Sequence, residues 1–365
     1  MEPFKNIYNK KSISEMSEKI KNKFNDFDSH SFILSSTRGL SQKEMKERVI
    51  QISNAIDSHL PGPFKRNILI LKKTLHNKRE NGLKGFILWP YSHYVETRGI
   101  ENFDISMEFL TELTKCFTAE WGIRPFLERY PDQTYSFLKQ KISDPNEHVR
   151  RWISEGTRPN LPWGMKISHS KLNLKKNITL LEELKNDSSL YVRKSVANHL
   201  NDISRIDSKL LISTLKKWKK SETKELQWIT KHALRSLIKE GHSEALQILG
   251  FKTDLKIKIR NFKLNQKEIK EGESIELTFE LQNLNSNKES LMIDYIIHYQ
   301  KSNKKISKKV FKLKIIHTEN LQWIKLRKKI DFKKVTTRKH YPGIHTIELQ
   351  INGKKFNKKT FNLKC

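Results

Sequence analysis

The sequence predicts a two-part fold class, an α-helical repeat solenoid followed by an antiparallel β-sandwich. Up to about residue 250, apolar residues recur at steps of three and four, which is the spacing of one helix face. A helical segment repeats within this half at offsets of 43 and 37 residues. After residue 255, short runs alternate apolar and polar residues, as strands do. We therefore predict a helical domain over residues 1–252 and a sandwich over 256–365.

Helix starts are predicted from capping boxes, in which a Ser or Thr side chain and an acid three residues later satisfy each other's backbone amides. Ser12 with Glu15 and Ser41 with Glu44 have this spacing, and each pair precedes an amphipathic stretch. The second stretch, "QKEMKERVIQISNAIDSHL", keeps a helical period of apolar residues to its end.

The repeat is seen when "SDPNEHVRRWISEG" is aligned with "NDSSLYVRKSVANH" and then with "LQWITKHALRSL". In the first two copies Asp144 and Asp187 occupy the predicted N-cap position. A helical unit of about 40 residues suits a HEAT-like solenoid, in which successive helix pairs stack and share one core.

The sandwich is predicted from six alternating runs: "LKIKIRNF", "SIELTFELQN", "LMIDYIIHY", "KKVFKLKII", "HTIELQI" and "KKTFNLKC". Turn sequences such as "KEGE", "NLNSNKES" and "NGKK" separate them. Six or seven short strands in about 110 residues are typical of an immunoglobulin-like sandwich.

The charge balance predicts a polyanionic partner. The chain has 71 Lys and Arg against 40 Asp and Glu, a net charge of +31, and both halves are basic. Such a protein usually meets nucleic acid or an acidic membrane surface; the alternative is a genome that favours lysine. Cys116 and Cys365 form neither a disulfide framework nor a metal pair. With no apolar leader or spanning run, we expect a cytoplasmic monomer without membrane contact, metal or cofactor.

A ladder of polar residues follows from the repeat. Lys194, Asn198 and Asp202 lie four residues apart and so share one helix face. Arg151 and Glu155 occupy the equivalent positions one repeat earlier. Stacking of the repeats is therefore predicted to bring Glu155 and Asp202 to one surface.

A third acid is predicted to join them. In "TAEWGIRPFL", Glu120 and Arg124 have the same spacing on a predicted helix face. Ordinary pairing between residues four apart, worth about 0.2–0.5 kcal/mol, is the alternative interpretation for each acid. Acids on a DNA-facing surface repel phosphate, so we interpret the cluster as acting on a cation. That cation would be a charged base, or a sugar that becomes charged as its glycosidic bond breaks.

Two tryptophans flank this cluster. Trp152 follows the arginine pair on its helix and is predicted to be core. Trp163 lies in "RPNLPWG", a loop stiffened by two prolines, where an exposed indole could stack on a base; a ligand-facing and a structural role both stay open.

The segments "VRRWISEGTRPNLPWG", "YVRKSVANHLNDIS" and "FTAEWGIRPFL" resemble signature segments of the AlkC group of bacterial DNA alkylation-repair glycosylases, relatives of the AlkD group. "IDYIIHYQKSNKKISKKVFKLK" and "TTRKHYPGIHTIELQINGKKF" are similar to the immunoglobulin-like extension of AlkC members. The resemblance implies a solenoid that holds duplex DNA on its concave face and a sandwich that closes around the other side.

The resemblance also implies hydrolysis of the N-glycosidic bond of cationic bases, namely 3-methyladenine and 3-methylcytosine, leaving an abasic site. The family's active-site residues match Glu120, Glu155, Asp202 and Trp163. We expect Asp202 to activate water, and Glu120 and Glu155 to stabilise the sugar cation.

Contacts to DNA are predicted for a set of basic and polar residues in the repeats: Arg150, Arg151, Arg158, Arg193, Lys194, Asn198, Lys231 and Arg235. Three rival functions remain at this stage. A non-catalytic DNA-binding scaffold would bind DNA without releasing base. A bifunctional lyase would use a lysine Schiff base, and an iron-dependent demethylase would need an HxD…H set on strands, which the 13 histidines do not provide.

Overall fold

The structure is a computed structural model that describes residues 3–77, 79–168, 172–219, 223–334 and 339–365. It confirms the predicted fold class, helices followed by a sandwich of strands. The helices within the described residues are α1 (Lys10–Lys21), α2 (Ser29–Thr37), α3 (Met45–His59), α4 (Phe64–Lys73), α5 (Trp89–Arg98), α6 (Phe103–Cys116), α7 (Arg124–Arg129), α8 (Pro131–Gln140), α9 (Glu147–Gly156), α10 (Leu174–Leu184), α11 (Leu190–Ile203), α12 (Ser208–Trp218), α13 (Lys224–Ala233), α14 (Arg235–Glu240) and α15 (Ser243–Ile248). Of these helices, none is both long and apolar enough to cross a membrane.

Both predicted capping boxes are three residues out of place. Asn9 caps α1: its side chain accepts the Ser12 amide N–H and the Ser12 hydroxyl accepts the Asn9 amide N–H, both at 3.1 Å. At α3 the cap is Glu44, which forms a box with Glu47. The helices exist as predicted, but Asn and Glu oxygens supply the acceptors.

The repeat is visible in the hydrogen bonds between aspartate side chains and backbone amides just before α9 and α11. Asp144 accepts the amide N–H of Asn146 at 2.8 Å, and Asp187 accepts that of Ser189 at 2.8 Å. Asn146 and Ser189 are the N-caps, so the predicted Asp caps are wrong by two residues. The offset of 43 residues nevertheless relates the two hydrogen bonds, and in each copy the Asp side chain stabilises the loop that precedes the helix.

The stacked helices share an apolar core at equivalent positions. Helix α11 packs between α9 and α13, and Val149, Val192 and Ile229 are all fully buried. Trp152 is also fully buried and donates its Nε1–H to the carbonyl of Ala119 at 3.0 Å, which confirms its predicted core position.

The chain forms two compact units. The first comprises the chain up to Asp207 together with the segment that ends at Ala233; the second comprises the segment from Ser208 that contains α12 and the chain from Leu234 onward. Helices α14 and α15 therefore lie with the sandwich, although we predicted a boundary near residue 252. Leu234 also separates α13 from α14, so Lys231 and Arg235 lie on different helices.

Within the residues that the structure describes, the second unit contains eight strands: β1 (Ile257–Leu264), β2 (Glu268–Lys270), β3 (Ser274–Asn283), β4 (Glu289–Gln300), β5 (Ile306–Thr318), β6 (Trp323–Asp331), β7 (Gly343–Ile351) and β8 (Lys354–Lys364). They form a sheet of order β1-β3-β6 and a sheet of order β2-β8-β7-β4-β5, antiparallel except for the β2–β8 pair. Their inward side chains make one core between the sheets.

The turn between β7 and β8 shows why the sequence needs glycine there. Asn352 and Gly353 both have positive φ, as a tight hairpin turn requires. A Cβ on Gly353 would lie 2.7 Å from the carbonyl oxygen of Gly241, in the turn between α14 and α15. Because neither glycine has a side chain, the backbone of the turn between α14 and α15 can contact the backbone of the β7–β8 hairpin turn.

Candidate active site

The first acid of the site, Glu120, lies in the turn between α6 and α7. We predicted it on a helix face with Arg124, but α7 begins only at Arg124. The end of α9 packs closely on this turn, since a Cβ on Gly156 would lie 2.7 Å from Cγ2 of Ile123 and 3.4 Å from the carbonyl oxygen of Glu120. Glycine after Glu155 therefore allows the helix end to approach the Glu120 turn.

The other two acids lie at the ends of helices. Glu155 is in the last turn of α9, and Asp202 is in the last turn of α11. The helix dipole disfavours a carboxylate at this end by about 0.3–1 kcal/mol. Two buried acids placed against the dipole indicate a requirement other than helix stability.

Two arginines join the three acids into a continuous network, which we call the acid ladder: Glu120, Arg151, Glu155, Arg158 and Asp202. Arg151 forms an ion pair with Glu120 and lies 3.6 Å from Oε1 of Glu155 through Nη2. Arg158 donates from Nη1 to the same Oε1 at 2.5 Å and from Nε to Oδ2 of Asp202 at 2.9 Å. The predicted meeting of Glu120, Glu155 and Asp202 is thus present, with guanidinium groups between them.

The acid ladder is buried and carries one excess negative charge. Glu120, Glu155 and Asp202 are 7%, 5% and 3% exposed. Burial raises the pKa of Glu120 above its usual 4.5, although Arg151 and the Thr118 hydroxyl act in the opposite direction. Within the acid ladder, three carboxylates against two guanidiniums favour a positive group placed beside the acids, although the buried guanidinium of Arg124 also acts on Asp202.

Neighbouring side chains fix the middle acid. Ser195 donates its hydroxyl to Oε2 of Glu155 at 2.6 Å and lies 2.9 Å from Oγ of Ser154. Beneath them, burial lowers the pKa of His199 to about 3, so the ring is neutral and its Nδ1 bonds to the carbonyl oxygen of Ser154 at 2.8 Å. Sequence reasoning missed Ser195, whose equivalent one repeat earlier is Trp152; a small hydroxyl residue at a buried repeat position was the available signal.

Arg124 holds the loop that follows Glu155. This residue is 1% exposed and donates from Nη1 to the carbonyl oxygens of Gly156 and Arg158 at 2.9 and 2.8 Å. It also donates from Nε to the carbonyl of Met165. Burial lowers the pKa of Arg124 to about 10, which still leaves it charged at neutral pH. One side chain therefore ties both ends of the loop that carries Arg158 and Trp163.

Trp163 is held with its indole accessible. It is 54% exposed and has a φ of 62°, a left-handed conformation that is rare for a bulky residue. Its ring is stacked on Trp89 at 5.5 Å, and Trp89 is stacked on Trp121 at 4.3 Å. Strain of this kind persists where the surrounding contacts over-determine it, and it concentrates at functional sites.

Three comparisons with known proteins agree on the relationship. Residues 258–365 match a family model described as "Uncharacterised protein YhaZ, C-terminal Ig-like domain". The chain is 35% identical to the uncharacterized protein YhaZ of Bacillus subtilis (strain 168) over 359 residues, 97% of both chains. The structure is similar to Pseudomonas fluorescens alkylpurine DNA glycosylase AlkC bound to DNA containing an abasic site analog. The TM-score is 0.90, the identity is 33%, and 99% of each chain is covered.

The chain belongs to the AlkC family.

In this AlkC-family chain, the side chains predicted to contact DNA fall into two groups. Four of the five arginines have these partners within the protein: Arg151 and Arg158 in the acid ladder, Arg150 with Asp187, and Arg193 with the carbonyl oxygens of Asp187 and Ser188. Those partners leave these four cations less open to phosphate than the sequence suggested. Of the remaining four, Lys194 and Lys231 are exposed, whereas Asn198 and Arg235 are half-buried and also interact with other groups.

The acid ladder of this AlkC-family chain can act by electrostatics and by proton transfer. Among the described residues, no three His, Cys, Asp or Glu side chains are grouped so that they could hold a metal ion. A carboxylate can accept a proton from water and can stabilise positive charge without any added group. Arg151 and Arg158 restrain the carboxylates in fixed positions, which is the preorganisation that such stabilisation requires.

Proposed function

We propose that this chain is a DNA glycosylase that removes cationic alkylated bases from duplex DNA. The observation that carries the proposal is the acid ladder, three buried carboxylates with excess negative charge in a chain of net charge +31. A surface used only to hold phosphate would be weakened by these acids. Membership of the AlkC family supports the same conclusion, since the solved relative is named an alkylpurine DNA glycosylase.

The chemistry of a cationic lesion suits this site. Alkylation at N3 of adenine or cytosine puts a full positive charge on the base, which then leaves as a neutral molecule. No acid is needed to protonate the leaving group. The enzyme has to stabilise the sugar as it becomes an oxocarbenium ion and to position water at C1′.

We assign roles to the acids from their surroundings. Glu120 and Glu155 are each paired with Arg151 and would stabilise the developing sugar cation. Asp202, at the end of the ladder, would orient and deprotonate the attacking water. Trp163 would pack against the lesion or its deoxyribose through its exposed ring. The products are the free base, 3-methyladenine or 3-methylcytosine, and an abasic site.

DNA binding is assigned to exposed cations. Lys194 and Lys231 are exposed on α11 and α13, the stacked helices of the repeat. Basic residues also fill the strands of the sandwich, which we propose clamps the DNA. These contacts would be made without reading the sequence, as expected of a monomer that searches any DNA for damage.

The test is release of free base from methylated duplex DNA, measured by chromatography. The native chain is expected to release 3-methyladenine and 3-methylcytosine, and Glu155→Gln is expected to lower the rate at least 100-fold, about 3 kcal/mol. Glu112→Gln is the matched control, because Glu112 is a half-buried acid of α6 paired with Lys115. Its rate should stay within about twofold of native.

Two further results separate the rival functions. Borohydride should trap no covalent enzyme–DNA adduct, because the proposed reaction uses water and no lysine Schiff base. Binding of methylated duplex without release of any base would contradict the proposal and leave a DNA-binding scaffold.

A further inference from the structure

The three aligned repeat helices, α9, α11 and α13, share a four-residue pattern: "HVRR", "YVRK" and "WITK". In each copy an aromatic ring comes first, an aliphatic residue follows it, and a cation comes fourth. The aliphatic residue is fully buried in every copy. Ring and cation are three residues apart and are therefore neighbours on one helix surface. The rings at this equivalent position belong to His148, Tyr191 and Trp228.

These three side chains, which we call the ring stripe, lie at the surface of the first unit. His148 is exposed, Tyr191 is 38% exposed and Trp228 is half-buried. His148 and Tyr191 contact each other edge to face, with 5.5 Å between ring centroids. Single exposed apolar residues are ordinary on a protein surface. Rings that recur at one repeat position on stacked helices instead indicate a shared ligand.

Neighbouring side chains hold two rings of the stripe in position. Cζ of Arg151 lies 4.9 Å from the ring centroid of Tyr191. The indole of Trp228 is stacked on the ring of His232, with 3.8 Å between centroids. Rings that are already ordered lose little side-chain freedom when a ligand packs against them.

Lysines supply positive charge beside the ring stripe. Lys194 and Lys231 lie three residues after Tyr191 and Trp228, and both lysines are exposed. Glu147, an exposed acid, places negative charge at the start of α9. The α11 and α13 part of the stripe therefore combines exposed ring surface with positive charge, which suits an anionic ligand that has flat groups.

An unpaired nucleic-acid strand has these two properties. Its bases stack on aromatic rings, and its phosphates bind the cations that flank them. Bases of a duplex are paired and stacked inside the helix, where they offer a protein only their edges. Methylation at N3 of cytosine occupies the pairing edge of that base, so DNA with this lesion contains unpaired bases. Rings on the protein surface are thus more useful for an unpaired strand than for an intact duplex.

We propose that the ring stripe binds the bases of a single DNA strand, with Tyr191 and Trp228 as stacking platforms and Lys194 and Lys231 on the phosphates. The binding surface consists of exposed side chains and is separate from the buried carboxylates of the acid ladder. The inference rests on the proposed function only for the choice of DNA as the polymer.

The experiment is fluorescence anisotropy of the full chain with two undamaged probes, a single-stranded oligonucleotide and the same sequence as a duplex. Trp228→Leu removes the flat ring and keeps an apolar side chain. Phe137→Leu is the matched control, because Phe137 is a half-buried aromatic residue of α8 with Lys141 over its ring. We expect Trp228→Leu to weaken single-strand binding about fivefold or more and duplex binding less than about twofold. The control should change both affinities less than about twofold.

Tyr191 provides a second, independent variant at a more exposed position. Tyr191→Leu should weaken single-strand binding about fivefold or more, whereas Tyr191→Phe, which keeps the ring, should stay within about twofold of native. An equal loss of duplex affinity in the two Leu variants would place the rings on the sugar–phosphate backbone and contradict the proposal. Unchanged single-strand affinity in both variants, or a native chain that binds no single strand, would also contradict it.

Failure of the proposed function would look different. Asp202→Asn should leave single-strand affinity within about twofold of native, because Asp202 is only 3% exposed and does not belong to the ring stripe. Unchanged base release by Asp202→Asn would contradict the role of the acid ladder and leave the single-strand result standing.

Discussion

At the scale of single residues, the acid ladder is built from positions that a stable helix would not choose. Glu155 and Asp202 lie at the carboxyl ends of their helices, where the helix dipole disfavours a negative charge. Arg151 and Arg158, which are largely buried, form ion pairs with these two acids. Buried ion pairs cost desolvation that their attraction repays only with good geometry. The arrangement therefore makes sense as a site that must hold its carboxylates in fixed positions.

Arg124 is predicted to position this site without touching substrate. Lysine at this position keeps the charge but cannot reach the carbonyl oxygens of Gly156, Arg158 and Met165 together. We expect Arg124→Lys to lower the maximal rate of base release about tenfold, with KM and DNA affinity within about twofold of native. Steady-state kinetics and a DNA-binding titration measure the two quantities.

Arg48 provides the control for a purely structural loss. It is equally buried and donates to the carbonyl oxygens of Lys5, Lys43 and Tyr8. Both lysine variants should lose about 2 kcal/mol of unfolding free energy. An equal fall in rate for Arg48→Lys would show that Arg124 acts through stability alone.

The sequence predicts the three acids of the site, but it does not predict all of the arginines that hold the acids and the neighbouring loop in place. Repeat spacing points to Glu155 and Asp202, and the family resemblance points to all three acids, although the helix face predicted for Glu120 was wrong. The spacing of four residues did offer the pairing of Arg151 with Glu155. The roles of Arg158 and Arg124 could not be predicted, because a basic chain offers many arginines and only the folded structure shows which ones face an acid or a loop carbonyl.

At the scale of elements, the repeat is held together by a tie between successive helices. Arg150, on α9, donates to both carboxylate oxygens of Asp187, in the loop that enters α11, at 2.6 and 2.9 Å. Asp187 also accepts the amide of Ser189. This pair fixes the register of the two helices that carry Glu155 and Asp202.

Asp187→Asn is predicted to destabilise the fold by about 2 kcal/mol at pH 7. Burial alone would raise the pKa of Asp187, but the hydrogen bonds from Arg150 and Ser189 outweigh it and the net pKa lies below 3.8. A lowered pKa contributes stability that is present above pH 3.8 and is lost as the pH falls through the folded value. The difference between native and variant should therefore shrink below pH 3.8 in urea unfolding.

Asp144→Asn distinguishes the effect of the Arg150–Asp187 ion pair from the effect of the hydrogen bond that each Asp accepts from a backbone amide. Asp144 accepts the equivalent amide in the loop before α9, so its variant should lose only about 0.5–1 kcal/mol. Equal losses for Asp144→Asn and Asp187→Asn would contradict a special contribution from the pair with Arg150.

The strands show what patterning can and cannot predict. Six of the eight strands alternate clearly enough to be predicted, but β2 and β6 were missed. In β6 the inward residues Leu326 and Ile330 are separated by Lys328, which is half-buried, so the apolar alternation is interrupted. The short β2 has Ile269 as its one buried residue. Neither pattern differs enough from a basic loop to be recognised.

At the scale of the whole molecule, charge determines how the protein meets its substrate. A net charge of +31 gives attraction to any DNA, while the acid ladder places a small negative region where a cationic sugar would form. In the proposed function, exposed basic residues therefore bind DNA, and the acid ladder carries out the reaction. Helices α12, α14 and α15 belong to the same compact unit as the sandwich, through contacts that a linear pattern does not reveal.

Exposed lysines of the repeat are predicted to set the salt dependence of binding. Lys194→Gln and Lys231→Gln should each reduce the slope of log affinity against log salt by about 0.9, equally for damaged and undamaged duplex. Lys10→Gln, an exposed lysine of α1, is the control and should leave the slope unchanged. Fluorescence anisotropy over a salt series measures the slopes. Unchanged slopes for both variants would remove these lysines from the DNA interface.

The central claim is that the acid ladder performs glycosidic chemistry and does not merely hold the fold together. The most direct test is single-turnover release of 3-methyladenine from a defined duplex by native protein and by Asp202→Asn, at saturating enzyme, with duplex affinity measured in parallel. We predict a rate at least 100-fold lower for the variant, with affinity within about threefold of native. An unchanged rate, or a rate that falls only as far as DNA binding falls, would contradict the claim.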